Sequence, residues 1–398
     1  MVTGKAGTGK STLVRYIRDS DDFPAAVILA PTGIAAINIA GQTLHSFFRL
    51  PPRIITPEAL EGQRYNRLWN KVEMIVIDEI SMVRADILDG IDYILRKARM
   101  IDRAFGGVKM VFVGDFYQLP PVTPPHEAEI LYQMGYETPF AYSAKVFDEL
   151  PLSRFSLQTV HRQSEEDFLR VLSDLRRGWN TEDVVDQLNA DCHGPHRAGH
   201  TPVLLTGTNA TANRYNAQGL AAIEAPERTY QSTTKGQFGL TGARLPSPEK
   251  LTLKTGARVM ALKNDPTRKW VNGSLGTVTA LGEKSVQVRF DHSGRVAEVG
   301  VASWENVKYQ WDERAGEAKA EPAGSYNQIP LGLAWAVTIH KAQGLTLDDV
   351  RIDLERGAFA PGQAYVALSR VRTLAGLSLT RALRVGDIIV EAAHGGSL

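Results

Sequence analysis

Gly4-Lys5-Ala6-Gly7-Thr8-Gly9-Lys10-Ser11 matches the pattern G-x-x-x-x-G-K-[ST] without a gap. Glycines at these positions let backbone N–H groups turn inward around phosphate oxygens, where a Cβ would collide. Lys10 brings a point charge to β- and γ-phosphates, and Ser11 brings a hydroxyl for Mg²⁺. A helix opening at Ser11 adds its positive end to the same anion site. A Gly-rich turn that binds nothing needs no helix directly behind it. The stretch implies a nucleotide-binding α/β fold.

Outward from this loop, Val27-Ile28-Leu29-Ala30, Met74-Ile75-Val76-Ile77 and Met110-Val111-Phe112-Val113 are apolar runs suited to strands buried on both faces. Ile87, Leu88, Ile91, Ile94, Leu95, Ala98 and Ile101 recur between the last two at helical spacing. Strand, helix, strand predicts a parallel sheet with helices on both faces. Asp78-Glu79 follows the second run, where such a fold places its magnesium acid. Elsewhere an Asp-Glu pair is an ordinary solvated turn. Here Asp78 holds the metal, and Glu79 orients and deprotonates a water. A kinase-type transfer needs no hydrolytic base, so a nucleoside triphosphatase is favoured. Gln118 ends the next run and suits sensing of a γ-phosphate and its water. Arg162 and Arg370 lie far away in sequence and suit charge on a transferring phosphoryl group, worth roughly 10³–10⁵ in rate. Spacing alone leaves surface charges as their alternative.

The chain has 398 residues, enough for two to three domains. With 43% apolar and 22% charged residues, it is not wholly disordered, collagen-like or disulfide-rich. Cys192 is the single cysteine, which excludes an internal disulfide and fits a reducing compartment. Net charge is +1, from 45 basic and 44 acidic residues, but Lys250 to Arg289 holds eight Lys/Arg against two Asp/Glu. The neutral total hides a basic module. Phe23 to Phe48 carries no charged side chain, yet Pro31, Gly33, Asn38, Gln42 and His45 interrupt it. It reads as strand, loop and helix, not a membrane span. The N-terminus shows no secretory signal, so an intracellular protein is expected. Cys192-His193-Gly194-Pro195-His196 with His200 crowds potential ligands into one short loop, and a polar surface loop is expected there, not a metal site.

A second α/β region is expected from about Leu152, with strands at Val203-Leu204-Leu205 and Val350-Arg351-Ile352-Asp353. Between them Val286, Val288 and Phe290 alternate strictly, with a turn at Gly294 before Val296, as in a small antiparallel barrel. Asp312 to Gly324, charged and Ala-rich, reads as a solvated connection.

Taken in order, these motifs resemble the petite-integration-frequency (Pif-type) DNA helicases, relatives of RecD in superfamily one. The matching segments are Gly4–Ser11, Ala30–Phe48 (APTGIAAINIAGQTLHSFF), Ile77–Met82 (IDEISM), Val113–Val122 (VGDFYQLPPV), Leu157–Gln163 (LQTVHRQ), Thr338–Leu347 (TIHKAQGLTL) and Gln363–Arg372. Asp167-Phe168-Leu169-Arg170 through Leu175-Arg176-Arg177-Gly178 resembles the family's own signature, and Gly256–Met260 and Val271–Val278 are similar to its later blocks.

The resemblance implies two RecA-like P-loop domains with ATP and Mg²⁺ between them, plus an inserted SH3-like β-barrel. The implied division is 1–150 for the first core, with a wedge at about 50–69, and 151–212 with 250–268 and 328–398 for the second. Residues 213–249 with 269–327 form the inserted hairpin and barrel region. Gly4, Gly7, Thr8, Gly9, Lys10, Ser11, Thr12 and Gly344 are implied at the nucleotide, Ser11 and Asp78 at the metal, and Arg162 and Arg370 as fingers. Pro31, Thr32, His45, Phe47, Arg258, His340 and Lys341 are implied along the DNA, with Phe47 and Phe48 alternatively in the core. Lys263, Arg268 and Lys269 suit phosphate contacts or a solvated basic face.

The implied activity is 5′-to-3′ translocation on single-stranded DNA and unwinding of duplex or forked DNA. A monomer is expected, and roles in repair, recombination and telomere maintenance are implied. So is a cytoplasmic or nucleoid location, or the nucleus or mitochondrion in a eukaryote. A RecD-like or relaxase-associated domain is the alternative enzyme; a DNA-remodelling module with impaired ATPase is the alternative of another class. Only Met1-Val2-Thr3 precede the loop, where the family carries a full strand and a glutamine-containing adenine contact. Weak support of the loop and poor discrimination between ATP and GTP are therefore expected.

Overall fold

Runs of branched apolar residues with no polar face can only be interior strands, and the computed structural model pairs them so. It describes residues 1–23, 26–62, 66–192, 202–312 and 317–391. The chain begins β1 (Val2–Gly4), α1 (Lys10–Asp19), β2 (Ala26–Ala30), α2 (Gly33–Asn38), β3 (Gln42–Thr43) and α3 (Leu44–Phe48). Short α4 (Pro57–Leu60) and α5 (Arg67–Lys71) precede β4 (Met74–Ile77), α6 (Ala85–Arg99), β5 (Lys109–Gly114), α7 (Pro125–Gln133) and β6 (Phe155–Leu157). The six strands form one parallel sheet in the order β3-β2-β4-β5-β1-β6.

Successive residues of β2 and β4 face opposite ways. Val27, Leu29, Ile75 and Ile77 pack with α6 on one side; Ile28, Ala30 and Val76 pack with Val14 of α1 on the other. Because β1 lies beside β5, and β5 beside β4, the phosphate loop, Asp78 and Asp115 all emerge at one carboxyl edge. The expected weakness of the loop's support is not found. β1 is short, but Val2 and Thr3 pair with Val113 and Gly114 on one side and with Phe155 and Ser156 on the other.

The chain then forms α8 (Glu166–Arg177), α9 (Thr181–Cys192), β7 (Val203–Thr206) and α10 (Asn209–Ala221). Antiparallel strands follow: β8 (Glu227–Gln231), β9 (Thr233–Gly236), β10 (Lys250–Lys254), β11 (Arg258–Ala261), β12 (Leu275–Leu281), β13 (Ser285–Phe290) and β14 (Val296–Gly300). Next come β15 (Ala302–Asp312), β16 (Glu317–Gln328), β17 (Leu331–Leu333), β18 (Ala336–Thr338), α11 (Ile339–Ala342), β19 (Val350–Asp353), α12 (Gln363–Leu368) and β20 (Leu377–Leu379). A second parallel sheet runs β18-β7-β19-β20.

The alternation in β13 is real, with Val286, Val288 and Phe290 buried and Gln287 and Arg289 less so. The strands around it form an open five-stranded sheet, β14-β13-β12-β11-β17, not a closed barrel. Closure needs the edge strands β14 and β17 to pair, and among the described residues they do not. After Gly300 the chain instead enters a long hairpin, in which Ala302 to Asp312 pair with Gln328 back to Glu317. The stretch read as a solvated connection is thus largely strand. Glu317-Ala318-Lys319-Ala320-Glu321 alternates, but its small member is Ala, which has weak strand preference and little surface to bury, so the period-2 pattern did not stand out as a strand. Residues 250–268 also lie elsewhere than expected, since β10 and β11 join antiparallel sheets and not the second parallel sheet. β6, beyond residue 150, belongs to the first sheet.

Phe23 to Phe48 contains β2, α2, β3 and α3, and no helix among the described residues is long and apolar enough to cross a membrane. Cys192 is buried; His193, His196 and His200 lie outside the described residues.

Candidate active site

The phosphate loop is shaped by two left-handed glycines. Gly7 and Gly9 have φ of 81° and 91°, which a side chain would strain. A Cβ on Gly7 would stand 2.7 Å from Arg162 Cβ, whereas one on Gly9 would project into open space. That open concavity lies at the start of α1, whose first amides have no intrahelical acceptor, and it fits a phosphate. Lys10 Nζ curls back over the loop and donates to the Gly4 and Lys5 carbonyls at 2.7 and 3.0 Å. Burial lowers its pKa, against the raising effect of Asp115, Glu79 and Asp78.

The acidic pair stands beside it. The Asp78 amide donates to the Leu29 carbonyl at 2.9 Å, which pins the turn to β2. Glu79 takes a left-handed φ of 52°, and its amide donates to Asp78 Oδ1 at 2.9 Å. Burial, then the adjacent Asp78 carboxylate, pushes the Glu79 carboxyl up to about 7. Burial raises Asp78 as well. Two acids in so little water favour a cation between them and the loop, and Ser11 with Asp78 fits Mg²⁺ by donor type.

Both arginines reach this cleft, and neither is a surface charge. Arg370 is 1% exposed, and its guanidinium donates to the Val366 carbonyl and Ser369 Oγ at 2.8 Å and to the Ala342 and Leu345 carbonyls at 3.4 Å. Burial, then Arg162, lowers its pKa to about 9. Arg162 donates to Thr346 Oγ1 at 2.9 Å, the Ser369 carbonyl at 3.2 Å and the Gly344 carbonyl at 3.4 Å. Burial depresses its pKa too. The His161 amide, next to it, donates to the Gly7 carbonyl at 2.9 Å. Neither guanidinium pairs with a carboxylate among the described residues. Buried cations supported only by carbonyls and hydroxyls favour an incoming anion.

Gln118 is buried at the cleft, and its Oε1 accepts from Gln343 Nε2 at 3.3 Å; the same Nε2 donates to Glu79 Oε2 at 3.3 Å. Gln343 was passed over in the sequence, although it is the uncharged polar side chain beside the left-handed Gly344. Arg176 was also passed over. From α8 it donates to Asp115 Oδ1 at 2.8 Å and lies 4.1 Å over the Tyr117 ring. Tyr365 Oη of α12 accepts from the Ala6 amide at 2.9 Å, so the second half touches the phosphate loop directly. Thr12 is exposed on α1.

The expected DNA-track residues are not gathered in this way. Thr32 caps α2, its hydroxyl accepting from the Ala35 amide at 3.2 Å; Pro31 beside it is half-buried. Phe47 is 3% exposed and packs edge-on against Phe48 and Tyr309 at 4.8 and 6.1 Å, so it is core and presents no face for a base. Arg258 is 7% exposed and forked onto Asp291, with Nη1 to Oδ1 at 2.8 Å, which removes it from the surface expected of a phosphate contact. His45 and His340 are half-buried with pKa values lowered by burial, and Lys341 is exposed. Lys263 donates to the Ser303 carbonyl, while Arg268 and Lys269 are exposed.

A phosphate loop, an acidic pair at the end of β4 and two arginines without carboxylate partners among the described residues, Arg162 after β6 and Arg370 after α12, define a P-loop nucleoside triphosphatase with two parallel sheets. Residues 1–185 match the model of the PIF1-like helicase family. The chain is 36% identical over 386 residues to "ATP-dependent DNA helicase Pif1" of Bdellovibrio bacteriovorus, covering 95% of this chain and 83% of that protein. It is 35% identical over 387 residues to human "ATP-dependent DNA helicase PIF1", of which it spans 57%. The crystal structure of Bacteroides sp Pif1 in complex with ADP-AlF4 superposes with a TM-score of 0.89 at 40% identity, covering 98% of this chain and 90% of that one. Bacteroides Pif1 bound to ssDNA, with the same coverage and 39% identity, superposes at 0.68. The chain belongs to the PIF1-like helicase family.

Proposed function

We propose that this chain is an ATP-dependent DNA helicase motor that moves 5′-to-3′ on single-stranded DNA and opens duplex or forked DNA. The carrying observation is that Lys10, Asp78, Glu79 and Gln118 from one parallel sheet stand with Arg370 and Gln343 from the other half and with Arg162 from the segment that joins the two. Gly4, Gly7, Thr8, Gly9, Lys10, Ser11 and Thr12 take the triphosphate, with Gly344 closing the opposite side. Ser11 and Asp78 would hold Mg²⁺, which would supply positive charge to the phosphate oxygens. Glu79 accepts the proton of the attacking water, a role its raised pKa suits near neutrality. Lys10, Arg162 and Arg370 stabilise charge on the transferring phosphoryl group. Because Arg370 comes with the second half, hydrolysis and release change how the halves meet, and alternating grips on DNA follow.

In domain terms, the first sheet is the first RecA-like core and the second parallel sheet the other. The five-stranded antiparallel sheet is the counterpart of the SH3-like insertion. Pro31, Thr32, His45, His340 and Lys341 remain the DNA-facing set. The test is ATP hydrolysis with and without single-stranded DNA, together with unwinding of forks carrying a 5′ or a 3′ tail. DNA-stimulated hydrolysis with unwinding from the 5′ tail is expected. Hydrolysis indifferent to DNA would overturn the reading.

A further inference from the structure

Gln343 is placed by a run of fixed contacts that begins in the second parallel sheet. Thr338 ends β18, which pairs with β7, and its hydroxyl caps α11 by accepting from the Lys341 amide at 3.3 Å. Gln343 ends α11, its own amide donating to the His340 carbonyl at 3.2 Å. Gly344 follows with φ of 81°, turning the backbone so that the Gln343 side chain points across the cleft. There its Nε2 stands 3.3 Å from both Glu79 Oε2 and Gln118 Oε1.

The same turn holds the arginines. Arg370 donates to the Ala342 and Leu345 carbonyls, and Arg162 to the Gly344 carbonyl and Thr346 Oγ1. The backbone that presents the Gln343 amide is the backbone on which both guanidinium groups rest. The residue type matters. A carboxylate here would repel Glu79, and an ammonium would form an ion pair that quenches it as a base. A neutral amide has two N–H donors, one for each oxygen, and adds no charge.

We propose that Gln343 is a positioning residue for hydrolysis: its amide fixes Glu79 and Gln118 in one arrangement as the second half arrives, so that base alignment and arginine arrival are a single event. The inference rests on the reading of Glu79 as the base. Gln343 acts through these two side chains and touches no reacting atom.

The full chain carrying Gln343→Met keeps side-chain length and loses the donor. DNA-stimulated kcat is expected to fall roughly 10²-fold, the loss that accompanies a reacting group misplaced by about 1 Å. The Kd for ADP and for single-stranded DNA stays within about twofold, because ground-state binding is not what the amide supplies. Gln118→Met lowers kcat as well. In the double variant the two losses are less than multiplicative, since both changes break one bridge. Unchanged kcat in Gln343→Met, or losses that multiply in the double variant, overturns the inference. A loss that appears equally in ADP affinity and melting temperature also overturns it. Turnover surviving Glu79→Gln overturns the reading beneath it; turnover abolished there but intact in Gln343→Met overturns the inference alone.

Discussion

The nucleotide edge and the residues expected along DNA are in opposite conditions. At the nucleotide edge, Arg162 and Arg370 stand without carboxylate partners among the described residues and acids are crowded into a cleft, so the unfavourable charges wait for a ligand. Of the residues expected along DNA, Phe47, Thr32 and Arg258 already have partners within the protein. Chemistry needs its groups in place before the substrate arrives, whereas a translocating grip must release as readily as it holds. One site is preorganised and the other is satisfied at rest.

The sharpest way to break this contrast is at the arginines. Arg370→Ala and Arg162→Ala should each lower DNA-stimulated turnover by about 10³-fold or more, while DNA affinity without nucleotide changes little. Arg370→Lys, which keeps charge but loses the fork, separates phosphate recognition from collapse of the buried pocket by restoring the melting temperature but not the rate. A large loss of nucleotide-free DNA binding with intact ATPase would move these residues to the other face.

Glu79→Gln comes next. Removal of the base with its shape retained should cost roughly 10²–10⁴ in hydrolysis, with ATP still bound; single-turnover hydrolysis and equilibrium nucleotide binding measure the two halves of that statement. Phe47→Ala should reduce folding stability by about 3 kcal/mol, as for a buried aromatic, seen in denaturant unfolding. A stable variant with weak DNA binding would show instead that Phe47 leaves the core to stack on a base. The smallest effect belongs to the exposed Lys341: Lys341→Ala should lower the slope of log affinity against log salt by about 0.7, one phosphate's worth on a single strand. No change in slope would take this lysine off the track.

The first sheet was legible because its strands announce themselves. Val27–Ala30, Met74–Ile77 and Met110–Val113 have no polar face, and the helical pattern between two of them makes the sheet parallel. Lys10, Asp78, Glu79 and Gln118 follow once the sheet is placed, because they sit at strand ends. Arg162 and Arg370 were recognisable as types, but their burial was not, since it depends on tertiary contacts, those of Arg162 lying 182 to 207 residues away and the carbonyls of Ala342 and Leu345 lying 28 and 25 residues from Arg370. Gln343 carries no charge and stands in a loop, so only its distance to Glu79 reveals it. Arg176 similarly looked like one basic residue on an amphipathic helix. Phe47 was ambiguous for the converse reason: its cover includes Tyr309, supplied by β15 from a region that periodicity could not read.

One further consequence follows from β6. Leu157 ends the last strand of the first sheet and α8 begins at Glu166, so among the described residues the backbone passes between the two halves once, through the segment that carries His161 and Arg162. That crossing is tied to Gly7, the turn of the phosphate loop, by the His161 amide. The fulcrum of the molecule therefore stands beside the load that moves it. When two bodies pivot about a point, each atom travels in proportion to its distance from the pivot. A displacement of phosphate size at the loop grows along the second parallel sheet and is largest at its far end. On the proposed motor reading, that covalent path would act as a short-armed lever, converting a small, strong push at the nucleotide into a longer stroke elsewhere.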